Sequence, residues 1–156
     1  MKGRIPTPGG LGLAVAAGAL LAWGAIDDHA ADAATLTVYK SPSCGCCGAW
    51  VEHMRAAGFE MKVQDLGGEE LAAVKARHGI HVGLASCHTA VVAGYAVEGH
   101  VPADLVQRLL RERPAVAGLT VPGMPPRAPG MDAPTGPAYD VLAFGGDGST
   151  ELYARR

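Results

Sequence analysis

The sequence has almost no net charge to offer a polyanion: 13 Lys and Arg against 15 Asp and Glu leave −2 at pH 7. That balance gives no electrostatic footprint for nucleic acid, and this class of partner is set aside. The chain also lacks the length for a second large domain. Its 156 residues, 49% hydrophobic and 18% charged, suit one domain with a real core. Proline is nearly missing from the middle: between residue 9 and Pro114 only Pro42 and Pro102 occur, so the loop-forming composition lies at the two ends and the centre reads as globular.

Only one long apolar stretch exists, Leu11 to Ile26, and no stop-transfer pattern follows it. Lys2 and Arg4 precede it, and Ala31-Asp32-Ala33 follows as an A-x-A cleavage site, so residues 1–33 are expected to be an export signal. An uncleaved anchor is the alternative, because the stretch is marginally long enough to span a bilayer. In that case the chain would touch a membrane only through this segment. Export puts the mature chain, read as a single domain over 35–156, in a periplasmic or similar oxidising compartment where free thiols need protection.

Cysteine is scarce, four in all, yet Cys44, Cys46 and Cys47 fall within four residues. They follow a β-branched and aromatic run, Leu36-Thr37-Val38-Tyr39, and a Ser-Pro turn. Pro42 cannot continue a strand, and Ser43 is the expected N-cap of a helix starting at the cysteines. Helix N-terminal amides favour anions, so these sulfurs are expected as low-pKa thiolates. Three uses remain open. Cys44 and Cys47 form the C-x-x-C pair of a dithiol redox site. Cys46 does not belong to that signature and suits a polynuclear soft-metal site. A plain disulfide staple is the third, although adjacent Cys46 and Cys47 would bridge only with strain.

Patterning orders the rest. Leu36–Lys40 reads as a strand, and Cys46–Ala57 as a helix with Trp50 and Met54 on its apolar face. Glu60–Leu66 is a strand of poor alternation, and Glu69–His78 a second helix closed by Gly79. Thr89–Val92 is strongly β, with a turn at Gly94-Tyr95 and a partner strand over Ala96–Val101. Pro102 opens a third helix with Leu105, Val106, Leu109 and Leu110 inward, and Pro114 ends it. The resulting β-α-β-α-β-β-α order is the thioredoxin/glutaredoxin arrangement, an α/β domain. After Pro114 the texture changes: Leu119–Met131 is expected as a Pro/Gly-rich loop without secondary structure, followed by a hairpin of Tyr139–Phe144 and Glu151–Ala154.

In that topology the segment Ala85-Ser86-Cys87-His88-Thr89, lacking the proline usual there, abuts the cysteine turn, and so does Gly99-His100-Val101-Pro102. A fourth thiolate and two imidazoles would thus converge on the site, with His88 the stronger histidine candidate. His29 is incidental, His53 reads as solvent-exposed, His78 as a partner of its helix dipole, and His81 as a loop residue able to approach the site. Trp50 and Tyr95 read as core. Met124 and Met131 each occur in a Pro-Gly-Met context, and a thioether is a soft ligand for Cu(I).

The motifs Tyr-Lys-Ser-Pro-x-Cys-Gly-Cys-Cys-Gly at 39–48, Leu-Ala-Ser-Cys-His-Thr-Ala at 84–90, Glu-Gly-His-Val-Pro at 98–102 and the Val-Pro-Gly-Met to Pro-Gly-Met run resemble the CopG-type family. The resemblance runs from about Thr35 to the end of the chain. It implies a periplasmic thioredoxin-like protein of copper resistance that binds copper and interconverts Cu(I) and Cu(II), which would make it a copper oxidoreductase if it turns over. Applied here, the metal ligands are Cys44, Cys46, Cys47, Cys87, His88, Met124 and Met131, and the partners are copper ions and other periplasmic copper-handling proteins. Two other classes stay in view, a metal-free thiol-disulfide oxidoreductase and an iron-sulfur protein using all four cysteines. Zinc would accept four cysteines but leaves the methionine loop without a role.

Overall fold

The computed structural model describes Gly3, residues 34–131, Ala133 and residues 135–156. The export segment expected over 1–33 lies, apart from Gly3, outside the described residues. From residue 34 on, the described residues form one compact unit. Within it run β1 (Thr35–Lys40), α1 (Gly45–Ala56), β2 (Glu60–Asp65), α2 (Gly68–Arg77), a short 3₁₀ turn (Val82–Leu84), β3 (His88–Val92), β4 (Tyr95–Glu98), α3 (Ala103–Glu112), β5 (Gly118–Thr120), β6 (Asp140–Phe144) and β7 (Thr150–Arg155). The result is a mixed α/β domain of three helices on a seven-stranded sheet ordered β2-β1-β3-β4-β5-β6-β7. β1 and β2 are parallel, as are β4 and β5, and the other pairs are antiparallel.

Side-chain alternation along the strands divides the core between the two faces. Val97 and Ala143 join Trp50, Met54, Val106 and Leu109 in the larger cluster, beneath α1 and α3. Their neighbours Ala96 and Phe144 turn the other way, toward Ile80 and Leu84. Complete burial of side chains such as Met54, Leu109 and Val97 contributes about 1.5–3 kcal/mol each before entropy is charged against it. The same alternation directs β3: Ala90 and Val92 face α1 and α3, and so does His88, whereas Thr89 faces α2. β2 alternates poorly because it is an edge strand, exposed along nearly its whole length.

Several expectations are corrected. Cys44, not Ser43, is the N-cap of α1, and no side chain caps that end; the Ser43 hydroxyl pairs with that of Ser41 at 3.0 Å instead. The hairpin turn is Ala93-Gly94, both at positive φ, so Tyr95 already belongs to β4, which ends at Glu98. Leu110 is half-buried, and Ala103 takes the fourth buried place on α3. The stretch after Pro114 is not all loop, since β5 is fully buried against β4. A three-residue strand between a proline and a Pro/Gly segment is too short for alternation to reveal.

Candidate metal centre

The turn after β1 is closed by the Cys44 amide donating to the Ser41 carbonyl at 3.1 Å. Pro42 supplies the fixed φ that this turn requires. Cys44, Cys46 and Cys47 thereby collect around the start of α1, Cys47 completely buried and the other two half-buried. Cys87 enters from the segment before β3. The four Sγ atoms all lie within 4.8 Å of one another. Cys44 and Cys47 are joined in a disulfide, while Cys46 and Cys87 are free. The Cys46 Sγ stands 3.5 Å from that of Cys44.

Cys44 and Cys47 are therefore not thiolates in this turn. Two sulfurs are oxidised, and burial, followed by the adjacent Cys46, pushes the Cys87 thiol up to about 11. The Cys87 Sγ lies 3.0 Å from His100 Nε2 and 3.3 Å from His88 Nδ1. Both rings are completely buried. Burial lowers the pKa of each, that of His88 well below the usual range with further repulsion from His100, Lys75 and Lys40. His88 packs on Trp50 with ring centroids 4.4 Å apart, and the Trp50 indole N–H donates to the Val101 carbonyl at 2.9 Å.

A buried ion pair steadies the Cys87 segment from the α2 face. Lys75 Nζ reaches the Glu98 carboxylate, which also accepts the Ser86 amide and the Thr89 hydroxyl. Burial raises the Glu98 pKa against the pull of Lys75. On the far side of Ser86, its hydroxyl bonds the Gly123 carbonyl. Gly99 has φ +71° and comes so close that a Cβ there would stand 2.5 Å from Ser86 Cβ and 2.8 Å from the Val121 carbonyl oxygen, an approach open only to glycine.

Among the expected ligands, Cys44, Cys46, Cys47 and Cys87 come together, and His88 joins them through Cys87. Met124 is 56% exposed and Met131 half-buried. The loop between them does reach the site, because the Pro129 carbonyl lies 2.7 Å from His100 Nδ1. His53 is not a solvent residue: its Nε2 accepts the Ala103 amide at 3.2 Å and caps α3. His81 is exposed, with its ring beside Gly148 in the last hairpin rather than at the sulfurs. His100 was left out of the expected ligand set although the topology had already put its turn beside the cysteines. The Pro129 carbonyl, a backbone group, leaves no mark in a sequence.

No curated protein matches the chain. A family model described as "Protein of unknown function, DUF411" matches residues 84–131, the span that holds Cys87, His88, His100 and both loop methionines. Two solved structures are similar. One titled "Copper resistance protein copG- Form 1" is 37% identical, covers 78% of this chain and 96% of its own, and has a TM-score of 0.73. The other, titled Form 2, is 37% identical, with coverage of 79% and 98% and a TM-score of 0.72. A chain that matches nearly the full length of these structures at this identity, and whose residues 84–131 match the DUF411 model, is a homologue of copper resistance protein CopG and belongs to its family.

Proposed function

We propose that this protein is an exported copper-binding protein of copper resistance, holding more than one Cu(I) in the nest of Cys44, Cys46, Cys47 and Cys87. The observation that carries the reading is the approach of four Sγ atoms to within 4.8 Å at the start of a helix, with Cys47 buried and the other three half-buried. Cu(I) is satisfied by two or three soft donors, so four thiolates in one nest exceed the need of a single ion, and bridging sulfurs are the natural use of the excess. The donor set fits copper once an external dithiol has reduced the Cys44–Cys47 disulfide by thiol-disulfide exchange, giving up two electrons and two protons, becoming a disulfide itself and leaving two thiols here. Copper bound there supplies a one-electron couple between Cu(I) and Cu(II). The same reading takes Met124 and Met131 as thioether ligands and His88 as the imidazole ligand beside Cys87. The fold reading that goes with this function is thioredoxin-like, supported by the β-α-β-α-β-β-α order of the first seven major elements. A periplasmic location rests on the N-terminal segment.

A second reading has an observation of its own: a Cys44–Cys47 disulfide at a helix start is the oxidised form of a thiol-disulfide oxidoreductase. Anaerobic Cu(I) titration of the fully reduced chain against a chromogenic chelator separates the two. The copper reading expects more than one Cu(I) per chain, reduced in number in Cys46→Ser, and little insulin-disulfide reduction by the copper-loaded protein. A single Cu(I) held equally well by Cys46→Ser, with robust disulfide turnover, would favour the oxidoreductase.

A further inference from the structure

A cleft opens on the α2 side of the sheet, between the second half of that helix and the 3₁₀ turn, with a volume of about 530 Å³. That is the size of a small-molecule site. Ala72 and Ala76 of α2, with Ile80, Val82 and Ala85 beyond it, give the cleft apolar walls, and Lys75 is the lysine among them. Backbone groups fix both walls. The Gly79 and Ile80 amides fold back on the Ala76 and Lys75 carbonyls at 3.1 and 3.0 Å, which occupies carbonyls at the end of α2. Across the cleft the Thr120 hydroxyl donates to the Leu84 carbonyl at 2.7 Å and the Gly123 amide to that of Ala85 at 3.2 Å. Val82 lines the cleft at 95% exposure, the most exposed large hydrophobic side chain among the described residues.

Lys75 has a donor to spare. An ammonium carries three N–H groups. One goes to Glu98 and one to the Thr89 hydroxyl oxygen at 3.1 Å, and the third has no acceptor among the described residues. Both Glu98 oxygens are meanwhile shared with other donors, Oε1 with the Ser86 amide and Oε2 with the Thr89 hydroxyl. The carboxylate's charge is thus spread over three partners, and the lysine keeps an unspent N–H beside apolar walls.

We propose that this cleft binds a short aliphatic carboxylate, its chain against Ala72, Ala76, Ile80 and Val82 and its anionic end on the third N–H of Lys75. A small anion without an apolar body would leave the walls wet, and an alcohol of the same length would make only a neutral hydrogen bond to the ammonium. The cleft selects a molecule that has both parts. It uses none of the cysteines or buried histidines, so it stands apart from the copper reading.

The test titrates hexanoate into the metal-free full chain and follows the methyl groups by NMR. Saturable shifts are expected at Ala72, Ala76, Ile80 and Val82. Hexanoate is expected to bind at least about tenfold more tightly than hexanol, which lacks the charge, and than acetate, which lacks the chain. Ala76→Leu, at an exposed position of α2, fills the cleft without removing either member of the ion pair and is expected to weaken hexanoate at least about tenfold. Hexanol or acetate binding as tightly as hexanoate, shifts confined to other parts of the molecule, or an affinity unchanged in Ala76→Leu would overturn the proposal. If that variant does not fold, the comparison of the three probes on the unmodified chain decides alone.

Discussion

Helix α1 buries Cys47, Trp50, Val51 and Met54 and starts with no side-chain cap, whereas α2 buries only Val74 and starts with the Glu70 carboxylate accepting the Gly67 amide at 2.9 Å. α1 is held by its apolar face, and its uncapped start carries three of the cysteines. α2 has little apolar face to bury and is held by polar contacts, of which Lys75 to Glu98 and Thr89 is the innermost. A helix start without a cap forgoes roughly 1 kcal/mol. That loss falls at the helix start that carries the sulfur site, and the capped start lies at the helix that carries none of the four cysteines. The comparison separates a helix that carries chemistry from one that braces it.

Breaking the brace should have the largest effect. Lys75→Met leaves the fully buried Glu98 without its cation, and urea denaturation of the metal-free chain is expected to show a loss of about 3–5 kcal/mol. A loss below about 1 kcal/mol, the range of exposed pairs, would place this ion pair in effective contact with water and erase the distinction between the helices. Next comes Glu70→Ala, which removes the α2 cap and should lower stability by about 1 kcal/mol, with Cu(I) uptake unchanged. An altered copper stoichiometry in Glu70→Ala would mean that α2 takes part in the chemistry.

The smallest expected effect concerns a cap that α1 donates rather than receives. His53 accepts the Ala103 amide with a neutral nitrogen, and burial lowers its pKa against the pull of Asp104. A histidine whose folded pKa is lowered gives full stability above its unfolded value of about 6.5 and loses it as the pH falls below that value. Stability of the metal-free protein should thus decline from about pH 7.5 to about pH 5.5. His53→Gln, which keeps an acceptor without a titrating group, should make the decline shallower. The remaining slope belongs to His88 and His100, whose pKa values are lowered too. An unchanged slope in His53→Gln would assign the whole effect to groups other than His53.

Much of the layout was legible because it follows periodicity. The apolar spacing of Trp50 and Met54, the β-branched run ending at Val92 and the Pro102 helix start each mark an element by local chemistry. The element order then brought Cys87, His88 and the His100 turn toward the cysteines. What stayed hidden has a common cause, namely that it depends on partners distant in sequence. β5 is a strand only because β4 and β6 flank it. His53 is a cap because α3 begins beside it, and Glu98 is buried because Lys75 arrives from the opposite face. The state of Cys44 and Cys47 was open between thiolate and disulfide, since the same C-x-x-C spacing serves both.

Gly130 has φ +84° and lies so close to α1 that a Cβ there would stand 2.6 Å from the Trp50 amide nitrogen and 2.9 Å from the Cys46 carbonyl oxygen. Its predecessor Pro129 provides the carbonyl that orients His100. During synthesis the cysteine turn emerges some eighty residues before this segment, so a nascent chain shows its thiols long before the imidazole beside them has its proton placed. Ribosomal order thus delivers sulfur first and the oriented nitrogen last, and a chain cut short after α3 would retain all four cysteines while lacking the backbone oxygen that aims His100.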